Sequence, residues 1–503
     1  MTPLSSYVRL VAAGWRLARA DALIPREIEP MLPPWPRTLA GVIRLVAGPQ
    51  ARAGRPGERL AAALETMGPV AIKLGQFLST RADIFGAQFA DDLSRLKDSL
   101  APFPTPQAER LVEQALGHPI GTLFESFGDP VGAASLAQVH AATLPGGRRV
   151  AVKILRPKIE AQVASDTRAL YLAGELAQRF VPGAARLEPR AFVATIARAL
   201  QLELDLRFEA AGADELRHAM DHDGFMRAPR VVWERTARRV LTLDWAGGES
   251  LSNPEAIERE HVDRPRLASD LIRGFLAQAL DHGVFHADLH EGNLFIDAEG
   301  HLVAVDFGIV GRLGAPERRY LAEILWGFLE RDYSRVAEVH FAAGYVPPHH
   351  DRAAFAQALR AVGEPIFGRP AADVAMSRLL TQLFDITALF DMRLRPELVL
   401  LQKTMVTVEG VGRRIHPGLD IWAAAEPVVR RWIMRELSPA RRLHALAEDA
   451  RRAITHFAER RVESVFERPR GSRETLPRFE LWSFLTGVLV AALAFAAGVL
   501  IVR

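Results

Sequence analysis

The chain has 503 residues, with 63 lysines and arginines against 60 aspartates and glutamates, and no cysteine. This length leaves room for two lobes and additional helices, and the charge is close to balanced by count. The absence of cysteine excludes disulfides and thiolate zinc sites, which suits a reducing compartment.

The N-terminus predicts an amphipathic surface helix. Three arginines interrupt the apolar residues between Val8 and Leu23, so there is no uninterrupted apolar region of the kind that a cleaved signal peptide needs. A proline-rich stretch at residues 30–36 then separates this helix from those that follow.

The stretch Ala61–Leu78 predicts a helix that carries Lys73 and Gln76 three positions apart. Both side chains can therefore point from one face of the helix. Gly75 between them would allow another segment to approach closely. A polar helix edge without further function is the alternative interpretation.

Residues 131–140 form an alanine-rich loop where a protein kinase carries its glycine-rich, phosphate-covering loop. Each alanine Cβ keeps the backbone farther from a phosphate and disfavours positive φ. We therefore expect this loop to hold a nucleotide differently from a glycine-rich loop. The run Arg149–Leu155 predicts a short strand in which Lys153 follows Val-Ala-Val, like the kinase lysine that contacts the α- and β-phosphates. A solvated lysine on an edge strand is the alternative.

The next helical stretch, Ile196–Leu216, contains Glu203, Asp205 and Glu209. Because Glu203 and Glu209 are six positions apart, they should lie on different parts of the helix surface and have different tasks. A solvated acidic face is the alternative for each of them. Residues 241–248, where a hydrophobic strand runs into glycines, predict a hinge at which adenine would dock.

The most informative segment is Phe285–Phe295, which contains Asp288 and Asn293 and is followed by Asp306 in an Asp-Phe-Gly motif. This spacing is typical of a kinase-like phosphoryl-transfer site. Asp288 would orient or deprotonate the attacking hydroxyl, while Asn293 and Asp306 would hold the magnesium ions that bridge the nucleotide phosphates.

Two other interpretations of this segment remain open. His286, Asp288 and His290 alternate as the ligands of a metallohydrolase would, although that site would leave Asn293 and Asp306 without a task. A structural turn with solvated acids is the second alternative.

The segment after the Asp-Phe-Gly motif disfavours a peptide substrate. Ala315-Pro316-Glu317 follows Gly308 after six residues that include no serine, threonine or tyrosine, which is too little chain for a peptide-docking platform. Pro316 fits the first turn of a helix over Ala315–Arg331. The sequence therefore favours a small molecule, a lipid or uncoupled nucleotide hydrolysis.

The C-terminus predicts one transmembrane helix at residues 481–502, which carry no charge and at about 1.5 Å per residue span a hydrocarbon core of about 30 Å. A buried core helix is the alternative. Arginines precede this span and only Arg503 follows it, which places the body of the protein in the cytoplasm. The basic region 431–480 predicts a helix that either lies on anionic lipid or packs on the large lobe, and the adjacent span makes lipid a nearer partner than nucleic acid.

Four features give the chain a resemblance to a known family. The alanine-rich loop, Lys73-Leu74-Gly75-Gln76, Glu203-Leu204-Asp205 and residues 401–412 resemble motifs of the UbiB family of atypical kinases, which is associated with coenzyme Q (ubiquinone) biosynthesis. The resemblance extends from about residue 60 to about residue 425.

The resemblance implies a role for each matching residue. Glu209 would be the partner of Lys153, and Glu203 with Asp205 would belong to the nucleotide and metal environment. Lys73 and Gln76 would lie on a helical insert over the active site. The implied nucleotide-binding residues are Ala133, Ala134, Ser135, Leu136, Ala137, Gln138, Lys153, Glu203 and Asp205.

The expected architecture is an α+β, bilobal, protein-kinase-like fold with ATP or ADP and Mg²⁺ as cofactors. The expected domains are an N-terminal extension (1–60), a helical insert (61–130), an N-lobe (131–245), a C-lobe (246–430), a basic helical region (431–480) and the membrane span (481–502).

The expected function is nucleotide-dependent phosphoryl transfer or hydrolysis at the cytoplasmic face of a bacterial inner membrane, in support of ubiquinone biosynthesis. Membrane lipid, ubiquinone precursors and other enzymes of that pathway would be partners, and nucleic acid would not. A nucleotide-sensing pseudokinase scaffold is the alternative, and a small-molecule phosphotransferase such as an antibiotic kinase is a third possibility.

Overall fold

The computed structural model describes residues 3–22, 54–79, 87–94, 96, 100–180, 189–259, 262–365, 386, 389–392 and 396–436. Its helices are α1 (Pro3–Arg19), α2 (Pro56–Met67), α3 (Pro69–Ser79), α4 (Ala87–Ser94), α5 (Thr105–Leu116), α6 (Ile120–Leu123), α7 (Ile159–Phe180), α8 (Pro189–Glu203), α9 (Leu206–Asp223), α10 (Arg264–Ala277), α11 (Ala315–Leu329), α12 (Tyr333–Ala342), α13 (Arg352–Gly363), α14 (Pro396–Ile415) and α15 (Ile421–Glu436). Its strands are β1 (Ser126–Ala133), β2 (Ala137–Thr143), β3 (Arg149–Leu155), β4 (Met226–Arg227), β5 (Val240–Asp244), β6 (Glu249–Ser250), β7 (Val284–His286), β8 (Leu294–Ile296), β9 (Leu302–Ala304) and β10 (Val310–Arg312). Short 3₁₀ turns lie at Trp233–Arg235, Pro254–Ile257 and Glu291–Asn293, and a π-helical turn lies at Gln278–His282.

The described residues form two compact units. Unit 1 comprises the described residues up to Asp214 together with Pro229–Ala246, and unit 2 comprises Glu215–Ala228 and the described residues from Gly247 onward. The division therefore falls within α9 and shortly after β5. The finer domain boundaries expected from the sequence stay predictions.

Unit 1 contains an antiparallel sheet with strand order β1-β2-β3-β5. Lys153 on β3 pairs with Val139 on β2 and with Leu241 on β5. Alternation along β3 turns Val152 and Ile154 into a buried core that also includes residues of α5, which leaves Lys153 on the opposite face. A slip of one residue would turn the lysine into that core, so burial of the two β-branched side chains fixes the register.

The predicted helix Ala61–Leu78 is two helices, α2 and α3. Gly68 between them has φ +99°, a conformation that other residues rarely adopt, and Pro69 has no N–H with which to continue the first helix. The expected close approach at Gly75 is present, since a Cβ there would lie 2.2 Å from Leu96 Cδ1. Packing of α2, α3 and α4 thus depends on a residue with no side chain.

The predicted helix Ile196–Leu216 is also two helices, α8 and α9. The side chain of Asp205 accepts a hydrogen bond from the backbone N–H of Arg207 (3.2 Å), which is an N-cap interaction at the start of α9. Glu203 is the last residue of α8, and Glu209 lies in the first turn of α9. The two acids therefore lie on different helices, which the sequence interpretation had placed on one.

The N-terminal helix is present as α1, which packs against α2 and α7 within unit 1. Arg9 forms an ion pair with Asp166 on α7, whereas Tyr7, Val8 and Trp15 are exposed. Helix α1 is thus held on unit 1 by packing and by this ion pair, and it exposes three apolar side chains.

Unit 2 contains a sheet with strand order β4-β9-β8-β6 and a separate antiparallel pair of β7 with β10. In the first sheet, Leu294 of β8 pairs with Ala304 of β9. In the second, His286 pairs with Val310. These pairings bring three segments close together in space: the residues after β7, those before β8 and those after β9. The predicted polar residues Asp288, Asn293 and Asp306 lie in these three segments.

Helices make up most of the rest of unit 2. Helix α10 packs against α14 and α15, α11 packs against α12 and α15, and α12 packs against α13. The α12–α13 contact buries a core of Tyr333, Val336, Ala337, Val346, Phe355, Leu359, Ile386 and Phe390.

The predicted membrane span at residues 481–502 and most of the basic region 431–480 lie outside the described residues. Among the residues that the structure describes, no helix combines the length and apolar character that crossing a bilayer requires.

Candidate active site

Lys153 and Glu209 form the centre of the candidate site in unit 1. Lys153 Nζ donates to Glu209 Oε1 at 2.7 Å, and the two side chains are only 17% and 10% exposed. Glu209 lies in the first turn of α9, where the positive end of the helix dipole favours a carboxylate. The residues are 56 positions apart in sequence, so folding alone brings them together.

The alanine-rich loop connects β1 to β2, with Ala134, Ser135 and Leu136 between the strands. Arg156 holds this loop: its Nε donates to the carbonyl oxygen of Ala134 (2.9 Å), and its backbone N–H donates to that of Leu136 (2.9 Å). Ser135 and Leu136 are buried. Arg156 was not among the predicted site residues, because its only signal in the sequence is its position directly after the strand that carries Lys153.

The side chain of Gln138, a predicted nucleotide-binding residue, lies in a buried polar network. Gln138 Oε1 accepts from Phe103 N–H (2.8 Å), while its Nε2 donates to Phe103 O (3.1 Å) and lies 2.7 Å from His140 Nε2. Strand alternation places Gln138 with Ile154, on the face of the sheet opposite to Lys153. All six residues of the loop, Ala133, Ala134, Ser135, Leu136, Ala137 and Gln138, stay predicted nucleotide-binding residues.

The same network fixes the protonation state of His140. Because Phe103 sets the orientation of the Gln138 amide, Nε2 of His140 must accept, and its Nδ1–H donates to Gly128 O (2.8 Å). Burial lowers the pKa of His140. A protonated ring would present an N–H to the amide N–H₂ of Gln138 and find no acceptor there.

We therefore expect the protein to lose stability in mild acid. The folded-state pKa of His140 lies below its ordinary value of about 6.5, so the unfolded chain binds the proton first. The contribution is complete above pH ~6.5 and falls below it by at most about 1.4 kcal/mol per pH unit until the lowered pKa is reached. Urea unfolding of the wild type and of His140→Asn from neutral to mildly acidic pH measures this slope.

The variant should show a shallower pH dependence than the wild type, although the buried residues His286 and His340, whose pKa values burial also lowers, will keep some slope in both proteins. The exposed His118→Asn is the matched control and should reproduce the wild-type slope. Equal slopes in the wild type and His140→Asn would contradict the assignment.

Lys73 and Glu203 form a second ion pair in unit 1. Lys73 Nζ lies 3.1 Å from Glu203 Oε2, and the side chains are 19% and 28% exposed. Asp205 is paired with Arg207 (2.6 Å), whose guanidinium hydrogen bond lowers the pKa of the carboxyl. Gln76 is half-buried on α3, and its backbone oxygen accepts from Ser79 Oγ. Lys73 thus forms an ion pair with Glu203, and Lys153 forms one with Glu209.

Asp288 and Asn293 form the centre of the candidate site in unit 2. Asn293 Nδ2 donates to the backbone oxygen of Asp288 at 3.0 Å, with the Asp288 carboxylate 3.5 Å away. The carbonyl oxygen of Asn293 accepts from Val305 N–H, which ties it to the segment that ends at Asp306. With Nδ2 committed, Oδ1 is the Asn293 side-chain atom that can act as a metal ligand.

His286 bridges the two segments of this site. The Asp288 N–H donates to His286 Nδ1 (3.1 Å), so the proton lies on Nε2, which donates to Val305 O (3.1 Å). Burial lowers the pKa of His286 and keeps the ring neutral. Both ring nitrogens are therefore occupied, and the metallohydrolase alternative, which required His286 as a ligand, is wrong.

Asp306 has a left-handed backbone, with φ +59°. Aspartate is one of the few residues that tolerate this conformation. Such backbone conformations cost free energy and are commonly found at functional sites. The next residue, Phe307, is buried beside His286, with ring centroids 5.2 Å apart. This contact fixes the chain immediately after Asp306.

Two further side chains, neither of them predicted from the sequence, hold the segment around Asp288. Gln278 in the π-helical turn accepts from His286 N–H (3.0 Å). Thr404 of α14 donates to Ala287 O (3.1 Å) and is buried. Neither residue carried a local signal, although Thr404 lies in the stretch 401–412 that resembled the family motif.

Comparison with known proteins places this geometry in context. The ABC1 atypical kinase-like domain matches residues 95–340, and the UbiB helical domain matches residues 359–420. The "Probable protein kinase UbiB" of Marinobacter nauticus is 40% identical over 397 residues, which cover 78% of this chain and 72% of that protein. The protein of the same name from Xanthomonas oryzae pv. oryzae is 40% identical over 412 residues, which cover 80% and 74%.

A solved structure supports the fold. The complex of Rv3197 with erythromycin from Mycobacterium tuberculosis aligns with 72% of this chain and 92% of that chain, with a TM-score of 0.51 and 22% identity. At that identity the likeness concerns the fold alone. The prediction of a protein-kinase-like fold of helices and sheet is confirmed.

Proposed function

Because the chain belongs to the UbiB family of atypical, protein-kinase-like proteins, we propose that it binds ATP or ADP with Mg²⁺ and catalyses phosphoryl transfer or nucleotide hydrolysis in support of ubiquinone biosynthesis. The observation that carries the proposal is the half-buried Lys153–Glu209 pair, since a kinase-like site needs a strand lysine held by a helix glutamate. An ion pair with a purely structural role would not require the chain to carry Asp288, Asn293 and Asp306 as well.

The residues have distinct proposed tasks. Lys153, held by Glu209, contacts the nucleotide phosphates, and residues 133–137 with Glu203 and Asp205 contribute to the nucleotide environment. Asp306 and Asn293 Oδ1 are hard oxygen ligands that suit Mg²⁺, which supplies neutralisation of phosphate charge when bound. Asp288 orients or deprotonates the hydroxyl that attacks. His286 positions Asp288 through its backbone N–H.

The acceptor that we propose is a small molecule, a lipid or water. After Asp306 the chain enters β10, which pairs with β7, and α11 begins at Ala315 with Pro316 in its first turn. The six residues between Gly308 and Ala315 include this strand, so they offer no free segment on which a peptide could dock.

A pseudokinase scaffold is the second candidate, and the β1–β2 loop favours it. Arg156 uses the carbonyls of Ala134 and Leu136, and the Leu136 side chain is buried, so this loop has less freedom to close over phosphates than a glycine-rich loop. Such a protein would bind nucleotide and organise other ubiquinone-biosynthesis enzymes without turnover.

One experiment separates the two candidates. The full-length, detergent-solubilised protein is incubated with γ-labelled ATP, Mg²⁺ and a membrane lipid extract, and the label is then located. Label in a lipid or in free phosphate that depends on the protein supports the enzyme. Nucleotide binding without any release or transfer of label supports the scaffold, and the absence of binding contradicts both.

We further propose that residues 481–502 anchor the protein in a bacterial inner membrane, with the body in the cytoplasm and the basic region 431–480 on anionic lipid. The support is the uncharged sequence and its arginine-rich flank.

Deleting residues 481–503 should release the protein from membranes only partly, because the arginines retain an electrostatic contact that salt screens. Flotation with anionic and with zwitterionic liposomes, at low and high salt, measures this. The truncated protein should float only with anionic liposomes at low salt. Complete release under that condition would rule out the second contact.

The Lys73–Glu203 pair supports a regulatory role for the helical insert. If the helical insert covers the active site and α3 thereby restricts turnover, then Lys73→His or Gln76→Ala should increase ATP hydrolysis or autophosphorylation, because the insert moves aside more readily. Single-turnover label transfer measures the effect, with Asp288→Asn as the inactive reference. Variants of Lys73 and Gln76 that are as inactive as Asp288→Asn would place the insert in the catalytic set.

A further inference from the structure

We propose that His222, Asp223 and His282 form a transition-metal site in unit 2, with zinc as the ion that the ligands suit best. Two imidazoles and one carboxylate are a common protein ligand set for zinc, and an open fourth position would be filled by water. None of the three residues belongs to the set proposed to bind magnesium. The site is therefore an addition to the proposed function and does not depend on it.

The backbone brings two helix ends to this point. Helix α9 ends at Asp223 and the π-helical turn ends at His282, and each is followed by a left-handed glycine, Gly224 at φ +74° and Gly283 at φ +69°. The carbonyl ends of helices carry partial negative charge, which favours a cation. Two such ends therefore reinforce the charge of the one carboxylate.

The side chains of these residues converge. His222 Nδ1 lies 3.1 Å from Asp223 Oδ1, and His282 Nε2 lies 3.0 Å from Asp223 Oδ2. All the ligand atoms lie within 4.8 Å of one another, and the two rings are nearly perpendicular at 80°. An ion needs each coordinating nitrogen to present its lone pair, which a change of tautomer provides, and small shifts of the side chains to place zinc-bound nitrogens about 2.0–2.1 Å from the metal.

The exposure of the three side chains suits a site that has a fixed ligand and that an ion can still reach from solvent. The Asp223 side chain is 5% exposed and the His282 side chain 24%, while the His222 side chain is 76% exposed. The buried carboxylate gives a fixed reference point, and the exposed imidazole leaves a path for the ion and for a water ligand. The absence of cysteine also means that no thiolate of this chain competes for zinc.

Two other histidine–carboxylate clusters in the described residues are weaker. In the cluster of Asp297 with His301, Asp297 Oδ2 is already paired with Arg227 at 2.7 Å, and Oδ1 accepts hydrogen bonds from two backbone N–H groups. Both oxygens of this carboxylate therefore already have partners. His349 and His350 share a single oxygen of Asp391, at 4.0 and 3.2 Å, and that carboxylate is 53% exposed. This last cluster is a matched control for adventitious binding to a surface histidine pair.

A bound ion would cross-link the end of α9 to the turn that leads into β7. His282 lies four residues before His286, which holds Asp288. The ion would thus stabilise the chain that enters the candidate catalytic segment, and it would do so from outside that segment.

The test is zinc binding by the metal-free, full-length protein in excess Mg²⁺, which masks hard-oxygen sites. Equilibrium dialysis counts the zinc bound, and visible spectroscopy of the cobalt-substituted protein reports nitrogen and oxygen coordination. We expect one equivalent in the wild type, loss of it in His222→Gln and His282→Gln, and retention in His349→Gln. Zinc should raise the melting temperature of the wild type and not that of His222→Gln.

Because His222 is exposed, its replacement should leave the protein folded, which circular dichroism checks. A wild type that takes up no zinc, or His222→Gln and His282→Gln variants that bind as much as the wild type, would overturn the proposal. Equal loss in His349→Gln would also overturn it, because the binding would then belong to surface histidines in general.

Discussion

Replacing Asp306 with asparagine is expected to abolish magnesium-dependent nucleotide binding while leaving the fold intact. Asparagine tolerates a left-handed backbone as aspartate does, so the φ of +59° is not an obstacle. The substitution removes one formal charge from a site whose task is to hold a divalent cation beside phosphates. The effect on binding should therefore report charge and not backbone strain.

A thermal-shift titration with ATP, in the presence of Mg²⁺ and then of a chelator, measures this effect. For a ligand at one hundred times its Kd, the wild type should gain about 2.7 kcal/mol of stability, and Asp306→Asn should gain none. Asp391→Asn is the matched control, because Asp391 is also left-handed at φ +47° and is exposed. An Asp306→Asn variant that shifts like this control would remove Asp306 from the metal site.

The second large effect is expected from the Lys153–Glu209 pair. Lys153→Met leaves a nearly buried carboxylate without its partner, and Glu209→Gln leaves a nearly buried ammonium, so each single variant should lose about 1–3 kcal/mol of stability. The double variant removes both charges and should recover most of that loss. Its affinity for MgATP should stay as low as that of the Lys153 single variant, because no lysine contacts the phosphates.

This separation of stability from binding is what distinguishes a functional pair from a structural one. Urea unfolding and MgATP thermal shifts, measured on the same four proteins, provide both quantities. The Arg312–Glu215 pair is a matched control: Glu215 lies on α9 six residues after Glu209, and the two side chains are 63% and 42% exposed. Arg312→Met and Glu215→Gln should change stability by less than about 1 kcal/mol and leave binding unchanged. Recovery of nucleotide binding in the Lys153/Glu209 double variant would show that the lysine has only a structural role.

The sequence by itself determined the features that depend on short-range pattern. The run Arg149–Leu155 predicted a short strand that carries Lys153, and β3 spans the same residues. The motif spacing predicted that Asp288 and Asn293 act together, and the hydrogen bond between them brings them into contact. In both cases the periodicity of a strand or the length of a turn sets the geometry, so neighbours in sequence suffice.

Helix boundaries were decided by local backbone chemistry that competed with apolar periodicity. The pattern continued through Gly68 and through Leu204-Asp205, yet a left-handed glycine followed by proline ended one helix and an N-capping aspartate started another. Glu203 forms an ion pair with Lys73, and Glu209 forms one with Lys153. A helix break separates the two acids, so they do not lie six positions apart on one helix.

Only the tertiary structure decided which polar side chains hold the site. Gln138 lies in the loop predicted to bind nucleotide, but its side-chain amide forms hydrogen bonds with the backbone of Phe103, 35 residues away in sequence. His286 was considered as a metal ligand, but its Nε2–H donates a hydrogen bond to the carbonyl oxygen of Val305. A buried polar group must find a partner wherever the fold supplies one, and the identity of that partner is set by contacts that no local pattern encodes.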